Sequence, residues 1–478
     1  MKVLMFGWEF PPHISGGLGT ACYGLTKALS AFDDIEILFV VPKLYGDEDK
    51  SVARLISAGN ISIKQYKTNT EKIFGEKTSS VSKNNLSHNF ETLITDKLLK
   101  KIEFIEIKSK LQPYISHDEY KKFLKEHKHN ILDKSKKLYY EKDGIIKEVT
   151  LEEYEKTSRI KEGKYNFSGT YGSELLKEVY YYAQVAKVIA AENDFDIIHA
   201  HDWLTNAAGI AAKEISGKPL VIHVHATEFD RGGFDRIDSR VFALEKAGME
   251  AADKIITVSN LTKNILIKHY GINPEKIVTV YNAVEPQNNL KKKYKKNVKE
   301  KLVTFLGRIT YQKGPAYFIN AAYKVLQKTD NVRFVMAGSG DMFHEMIRYA
   351  AKLGITDKFH FTGFLKGEEV NKMFAISDVY VMPSVSEPFG ISPLEAARSN
   401  VPVIISKQSG VAEVLKNAVK TDYWDEDALA DAIYGIITYK GLSEMFKKQS
   451  KKEVDEMKWD KPAKEIKEIY YTLLNKQN

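Results

Sequence analysis

Two acidic residues, Glu387 and Glu395, flank Gly390 in the second half of the sequence. Ser392 and Pro393 come just before Glu395, and the pattern Ser-Pro-x-Glu is typical of the first turn of a helix. The free amides and positive dipole end of such a turn bind phosphate groups. The segment therefore predicts a diphosphate site with Glu387 facing a cleft. A capping box of Ser392 and Glu395 explains Glu395 equally well, because its carboxylate would then satisfy only its own helix.

A second loop carries two cations, Arg308 and Lys313, between an apolar run and a helical pattern. Arg308 offers a planar fork of donors and Lys313 a mobile point charge, so both can converge on a departing diphosphate. The alternative is a pair of solvated surface cations. Gly338, in the turn Gly338-Ser-Gly340 after the next predicted strand, gives weaker support for a phosphate-binding edge.

A glycine-rich turn joins the first predicted strand to the first predicted helix and contains Gly16 and Gly17. The backbone amides of these glycines can meet a phosphate that reaches across from another domain. The spacing differs from the dinucleotide fingerprint G-x-G-x-x-G, and no acidic residue ends the second predicted strand. These departures argue against a nicotinamide cofactor.

Histidines alternate along two predicted strands: His199 and His201 on one, His223 and His225 on the next. Residues two apart on a strand share one face of the sheet. Asp202 is expected either to orient His201 or to touch an acceptor. The pairs have no matching cysteine or clustered carboxylates, so contact with a substrate hydroxyl is favoured over a metal, with buried core histidines as the alternative. We predict no metal requirement.

Length and composition limit the class of protein. A chain of 478 residues with 43% hydrophobic and 28% charged residues predicts two large globular domains. The net charge of +8 is a mild excess that fits phosphorylated small molecules and does not require nucleic acid. The single cysteine, Cys22, excludes an internal disulfide framework and suits a reducing cytoplasm. The first ten residues predict a β-strand in place of a signal peptide, and no apolar stretch approaches the roughly 20 residues of a membrane span.

Apolar strands that alternate with helical patterns predict an α/β protein with two Rossmann-like parallel-sheet domains and a cleft between them. The predicted boundaries are an N-terminal domain at 1–285, a polar linker at 286–301, a C-terminal domain at 302–458 and a final helix at 459–478. Ligands bind at the carboxyl ends of the strands in open parallel sheets. The loops described above should therefore line the cleft.

A Lys-rich region at about 43–170 interrupts the α/β pattern. We expect it to elaborate one edge of the first domain, with a helix near 118–129 and a hairpin near 139–151. The alternative is a flexible charged excursion.

Four separated segments resemble retaining glycosyltransferases of the two-domain GT-B type, the group of glycogen and starch synthases (family 5) and their family-4 relatives. The opening of the chain looks most like the shorter prokaryotic glycogen synthases, although Ile14 stands where these usually carry lysine. The four segments are Gly16-Gly17-Leu18, His199-Ala-His201-Asp202-Trp203, Arg308 with Lys313-Gly314, and Glu387 with Glu395.

The resemblance implies a role for each matching residue. Arg308 and Lys313 would neutralise the diphosphate, Glu387 would bind the transferred sugar, and His201 would contact the sugar near the reacting carbon. Asp202 and His225 are the implied acceptor or sugar contacts. The implied donor-binding residues are Gly16, Gly17, Gly338, Gly390, Ile391, Ser392 and Glu395. The final helix resembles the one that crosses back to the first domain in this fold.

The resemblance implies transfer of glucose from a nucleotide sugar, ADP-glucose or UDP-glucose, to a glucan acceptor with retention, without metal or other cofactor, in the cytoplasm. One alternative is a family-4 enzyme making a cell-surface polysaccharide, a glycolipid or a small glycoside, favoured by Ile14 and the Lys-rich region. Another is a non-catalytic nucleotide-sugar or glycan-binding protein. The expected partners are the donor and a glycan acceptor, with no nucleic acid; contact of a basic face with anionic membrane stays open.

Overall fold

The structure is a computed structural model that describes residues 1–13, 16–61, 137–142, 145–150, 164–169, 171–172, 174–233, 236–285, 294 and 296–475. Most of the Lys-rich region lies outside the described residues, as do Ile14 and the helix predicted near 118–129. The hairpin predicted at 139–151 is confirmed, because two strands pair antiparallel there with Lys137 opposite Thr150.

The first domain is built on a seven-stranded parallel sheet whose strands are continuous apolar runs, since helices cover both of its faces. The described strands of this half, hairpin included, are β1 (Lys2–Phe6), β2 (Glu36–Val41), β3 (Arg54–Ser57), β4 (Lys137–Lys142), β5 (Ile145–Thr150), β6 (Ile197–His201), β7 (Leu220–Val224), β8 (Lys254–Thr257) and β9 (Ile277–Thr279). The sheet order is β3-β2-β1-β6-β7-β8-β9. Strand order therefore reverses at β1, between β2 and β6.

The described helices of the first domain pack alanine-rich and aromatic faces against this sheet. They are α1 (Gly17–Leu29), α2 (Leu175–Glu192), α3 (Trp203–Ser216), α4 (Glu228–Gly232), α5 (Ser239–Ala251) and α6 (Asn260–Ile265), the last continuing as a π-helix over Leu266–Tyr270.

The second domain repeats this architecture on a six-stranded parallel sheet. Its strands are β10 (Lys301–Leu306), β11 (Val332–Ala337), β12 (Phe359–Gly363), β13 (Val379–Met382), β14 (Val403–Ser406) and β15 (Val419–Thr421). The order β12-β11-β10-β13-β14-β15 reverses at β10. Its helices are α7 (Pro315–Leu326), α8 (Phe343–Lys352), α9 (Glu368–Ile376), α10 (Ser392–Arg398), α11 (Val411–Val414), α12 (Glu426–Thr438) and α13 (Lys440–Asp455).

A last helix, α14 (Asp460–Asn475), returns to the first domain and packs on α1. Its start is held by the buried indole of Trp459, which lies so close to Gly24 that a Cβ there would sit 2.4 Å from the ring. Ala463, Ile466 and Tyr470 extend the contact into the core of the first domain. The chain therefore contributes its C-terminus to the same core as its N-terminus.

The two reversals of strand order explain why the predicted site residues converge. The glycine-rich turn follows β1 and His201 ends β6, so both lie where the first sheet reverses. Arg308 and Lys313 follow β10, and Glu387 follows β13, the two strands that meet at the reversal of the second sheet. Crevices form at such points in parallel sheets and hold ligands.

Candidate active site

The loops after β10 and β13 are joined by close backbone contact. Gly314 has a φ of +65°, and a Cβ at this position would lie 2.1 Å from the carbonyl oxygen of Pro383. Any larger residue would push the two loops apart. A backbone hydrogen bond also joins the loops, because the amide of Val385 donates to the carbonyl of Gln312 at 2.9 Å. The cation-bearing loop and the carboxylate-bearing loop thus form one unit.

Lys313 and Glu387 form an ion pair in this unit. The Lys313 ammonium donates to Glu387 Oε2, and the exposed fractions of their side chains are 19% and 8%. The backbone of Glu387 is fixed on both sides, because its amide donates to the Gln408 carbonyl and its carbonyl accepts from Gly410. The structure therefore brings together two residues that the sequence places on separate loops.

Arg308 points to a different partner on the same loop. Its guanidinium donates to the side-chain oxygen of the buried Gln312 at 3.1 Å. It also lies near Asp341, where burial raises the pKa of the carboxyl and the positive charge of Arg308 opposes that rise. Gly338 has a packing reason of its own, because a Cβ there would lie 1.8 Å from the Gly307 carbonyl oxygen.

The structure does not contain the capping box of Ser392 and Glu395 that was the alternative explanation of Glu395. Helix α10 begins at Ser392 with Ile391 in the cap position, and no side chain caps it. The Ser392 hydroxyl pairs instead with the phenol of Tyr380 at 2.8 Å. Burial raises the pKa of Glu395, an effect that the charge of Arg398 opposes. Glu395 is therefore not explained by capping of its own helix.

The four histidines share one face of the first sheet, as their alternation predicts. The rings of His199 and His201 stack with centroids 4.3 Å apart, and those of His223 and His225 with centroids 4.2 Å apart. His201 Nδ1 and His225 Nε2 share a hydrogen bond of 3.0 Å. Burial lowers the pKa of His199 and of His225 to about 3 and that of His201 well below its ordinary value. The imidazoles are therefore neutral near pH 7.

The Asp202 carboxylate contacts the turn after β7 and not the His201 ring, which argues against the first of its two predicted roles; contact with an acceptor stays a prediction. Its carboxylate accepts from the backbone amides of His225 at 2.9 Å and Ala226 at 3.2 Å, which fixes the turn after β7. Its backbone has a φ of +64°, an unusual conformation for a residue other than glycine. Burial raises the pKa of Asp202 to about 6, although the charge of Arg231 and the two amides oppose the rise.

Two groups in this cluster could hold a metal ion by proximity alone. One ligand atom each of Cys22, His201 and His225 lies within 4.8 Å of the others, and the same holds for His199, His201 and His223. The sequence does not reveal the place of Cys22 in this cluster. The rings of His199, His201 and His223 stack with interplanar angles of 6° to 29°. Lone pairs lie in the ring planes, so these three rings direct them side by side and not toward one ion. The rings of His201 and His225 are tilted by 33°, and the two nitrogens that face each other are already joined by the hydrogen bond.

Gly16 and Gly17 lie exposed at the start of α1, and an added Cβ would meet no atom within 4 Å at either position. Their place at the reversal of the first sheet agrees with the predicted glycine-rich turn. Gly390, with a φ of +97°, lies between Glu387 and the start of α10. Ile391 packs partly against the core of the first domain as well as that of the second.

The sequence interpretation missed a segment after β7 that contains α4. Thr227 and Asp230 form a capping box there, and Asp230 also accepts from the Ser386 hydroxyl of the second domain at 2.5 Å. Arg231 donates to Glu228 at 2.9 Å and to Glu245, two buried carboxylates. The pattern Thr-x-x-Asp is a signature of a helix start and was the available signal.

The chain resembles glycosyltransferases in sequence. Residues 286–453 match the family of glycosyl transferases group 1, and residues 151–288 match glycosyltransferase family 4. An uncharacterized glycosyltransferase of Methanocaldococcus jannaschii is 34% identical over 300 residues, 59% of this chain and 76% of the relative. A glycogen synthase of Mycobacterium tuberculosis is 27% identical over 46% of this chain and 54% of the relative.

Solved structures share the fold over almost the whole chain. Sucrose-phosphate synthase from Thermosynechococcus elongatus superposes with a TM-score of 0.65 at 15% identity, covering 99% of both chains. Anabaena HepE in complex with UDP-glucose gives a TM-score of 0.57 at 15% identity, covering 99% of this chain and 100% of that one. At such identities the likeness concerns the fold alone. In the described part of this chain, no helix has the length and apolar character needed to cross a bilayer.

Proposed function

The chain belongs to the glycosyltransferases of group 1 and family 4, and from that premise we propose that it moves glucose from a nucleotide-sugar donor to a glucan with retention of configuration. The observation that carries the proposal is the Lys313–Glu387 ion pair at the reversal of the second sheet, with Arg308 on the same loop. Relatives named as glycogen synthase and α-maltose-1-phosphate synthase support a glucose donor.

When the donor binds, both members of the ion pair would contact it, Lys313 at the diphosphate and Glu387 at the sugar. The charge of Lys313 is paired with that of Glu387. A bound diphosphate would draw the ammonium towards itself. The carboxylate of Glu387 could then accept hydrogen bonds from the hydroxyls of the sugar. Fixed cations aimed at the departing diphosphate stabilise the charge that develops as the bond from the sugar carbon breaks. The acceptor oxygen would form its bond on the face that the leaving group vacates, and a departing phosphate oxygen would take the acceptor proton.

His201 would contact the sugar as a neutral group. Its imidazole is buried and tied to His225, so it offers a hydrogen bond without a charge that would compete with Lys313 for the diphosphate. We propose that Arg308 and Lys313 supply the cationic charge that divalent ions supply in other sugar transferases. Activity should therefore survive exhaustive treatment with a chelator.

The test is an assay of the purified protein with a panel of nucleotide sugars, with and without glycogen or maltooligosaccharides. We expect incorporation of sugar into glucan from a glucose donor alone. Lys313→Ala should reduce transfer by at least about a hundredfold, as does the loss of one fixed group that stabilises a transition state. Lys328→Ala, which removes a surface lysine paired with Asp431, is the matched control and should retain activity. Transfer to no glucan acceptor would refute this assignment.

A second candidate is transfer to a phosphorylated small acceptor or a lipid. It is favoured by a relative named D-inositol 3-phosphate glycosyltransferase, from Salinispora tropica, which is 26% identical over 60% of this chain and 65% of its own length. The same panel, supplemented with such acceptors, separates this candidate from a glucan synthase.

A further inference from the structure

Two of the contacts between the domains are made by carboxylates, a hinge contact and a cleft contact; the Thr262 hydroxyl also donates to the Pro388 carbonyl at 3.5 Å. In the hinge contact, Glu413 accepts from the amides of Asn260 at 2.9 Å and Leu261 at 2.7 Å, which begin α6, and from the Tyr281 hydroxyl. In the cleft contact, Asp230 of α4 accepts from the hydroxyl of Ser386, in the loop after β13, at 2.5 Å. The hinge contact ties the domains together near their linker, and the cleft contact touches the loop of the proposed donor site.

We propose that Asp230 is a positioning residue that couples closure of the two domains to the placement of Glu387. Its carboxylate, from the first domain, holds the residue that directly precedes Glu387 in the second. This inference rests on the proposed function for its effect on sugar transfer, although the contact itself does not. A group placed by the opposite domain is in position only when the cleft is closed, which keeps water from the donor until then.

The Asp230 carboxylate is held rigidly before it meets the second domain. One of its oxygens accepts from both the amide and the hydroxyl of Thr227, each at 2.8 Å, and the other accepts from Ser386. The side chain is 2% exposed. Because both oxygens have partners, the carboxylate is fixed in place, and we assign it the role of positioning Ser386.

Arg231 anchors the segment that carries Asp230. Its guanidinium lies between the buried carboxylates of Glu228 and Glu245 and sits 5.9 Å above the ring of Trp203. Trp203 is the first residue of α3 and lies two residues after His201, the last residue of β6. The anchor therefore reaches the end of the strand that carries two of the four histidines. The closing surface is therefore built on the rigid part of the first domain.

A second pair of residues belongs to the same cleft contact. The guanidinium of Arg236 lies 5.5 Å from the ring centre of Tyr311, in the turn that ends with Lys313. Helix α4 and the residues after it thus touch both loops of the proposed donor site, Asp230 through Ser386 and Arg236 through Tyr311. The first domain therefore contacts the residue before Glu387 and the turn that ends with Lys313.

The first experiment compares Ser386→Ala with the wild type in donor turnover and in UDP affinity. Loss of a hydrogen bond to a carboxylate should lower kcat about ten- to a hundredfold, while the Kd for UDP changes by less than about twofold. Ser450→Ala is the control, since Ser450 is a buried serine that donates to the Asn417 carbonyl far from these loops. Equal kcat for Ser386→Ala and the wild type would overturn the proposal.

Substitutions of Asp230 itself distinguish the effect of the side chain's shape and hydrogen bonds from the effect of its charge. Asp230→Asn keeps an oxygen that accepts from Thr227 and gains an amide that donates to Ser386, so most of the turnover should remain. Asp230→Ala should lose at least as much kcat as Ser386→Ala, because it also removes the acceptor of Thr227. The double variant should lose no more than Asp230→Ala, since the two substitutions break one shared bond. Additive losses in the double variant would contradict the coupling.

A cross-linking measurement tests closure without sugar transfer. Arg236→Cys with Tyr311→Cys places two thiols across the cleft contact, and the one native cysteine, Cys22, is buried. A short bifunctional thiol reagent should join them faster with UDP present, and Ser386→Ala should slow that reaction severalfold. An unchanged rate in the Ser386→Ala background would overturn the proposal. If Ser386→Ala slows cross-linking but the wild type transfers sugar from no donor, the proposed function is refuted and the closure contact is supported.

Discussion

Replacement of Arg231 by methionine should destabilise the first domain strongly, because the change strands two buried carboxylates. Arg231 donates to Glu228 and Glu245, and all three side chains are less than a tenth exposed. Methionine keeps the bulk of the aliphatic stem and removes the charge together with the N–H donors. Removal of one partner from a buried ion pair costs about 3–5 kcal/mol in the free energy of unfolding.

The cost should depend on pH in a direction that follows from Glu245. Burial raises the pKa of Glu245 from 4.5 to about 7, with the charge of Arg231 and the Tyr270 hydroxyl opposing the rise. A carboxyl with a raised pKa binds a proton in the folded state at pH values where the unfolded chain is ionised. Stability from this group is therefore fully present below pH 4.5 and is lost as pH rises from 4.5 through about 7. Without Arg231 the pKa should rise further, so Arg231→Met should be tolerated better at pH 5 than at pH 8.

Urea unfolding followed by tryptophan fluorescence at pH 5 and pH 8 measures both effects. Arg333→Met is the control, because Arg333 is 40% exposed and pairs with Glu300 away from this cluster, and its loss should cost less than about 1 kcal/mol. Equal destabilisation by the two substitutions, or a larger cost of Arg231→Met at pH 5 than at pH 8, would refute the reasoning.

Three further changes probe the packing that unites the domains. Gly24→Ala places a methyl group 2.4 Å from the Trp459 ring and should destabilise the protein by about 1–3 kcal/mol in urea unfolding, since a filled core resists extra volume. Tyr470→Phe removes the hydroxyl that pairs with His199 Nδ1 at 2.5 Å and should cost about 1–3 kcal/mol by the same measurement. Glu413→Ala removes the acceptor of the hinge contact and should raise the radius of gyration measured by small-angle X-ray scattering.

Each of these changes has a control in the same class of residue. Gly435→Ala lies in α12, where an added Cβ would meet Leu442 at an ordinary 3.7 Å, and it should not destabilise. Tyr471→Phe removes an exposed hydroxyl from the same helix as Tyr470 and should change stability little. A surface glutamate, Glu444, replaced by alanine should leave the scattering profile unchanged. Results that do not separate test from control would contradict the packing argument.

Much of the fold follows from local sequence pattern, and the limits of that pattern have physical causes. Apolar runs such as those of β6 and β10 are buried on both faces, so their composition alone predicts central strands of a parallel sheet. Strands β3 and β15 lie at sheet edges and are short, with mixed burial. Their alternation is too brief to distinguish from loop. The hairpin of β4 and β5 was predictable because its pairing is local.

The candidate site was predictable to the extent that it depends on strand ends. Lys313 and Glu387 were identified separately, and only the order of the strands shows that they pair. Ser392 does not cap its helix because the phenol of Tyr380, which reaches it from β13, competes for its hydroxyl. The Asp230–Ser386 bond joins residues that are 156 positions apart, and no periodicity records such a distance.

The return of the chain through α14 means that the first domain is not one continuous piece of polypeptide, whereas the second is. The chain crosses between the domains twice, and the crossings run side by side, where the Val284 amide donates to the Met457 carbonyl at 3.2 Å. A single proteolytic cut in the linker would therefore leave the two halves attached through α14. A fragment that ends at residue 285 would expose the surface of α1 that Trp459 and Tyr470 cover. Exchange of donor domains between relatives, to alter which nucleotide sugar is used, should accordingly carry α14 with the recipient's first domain.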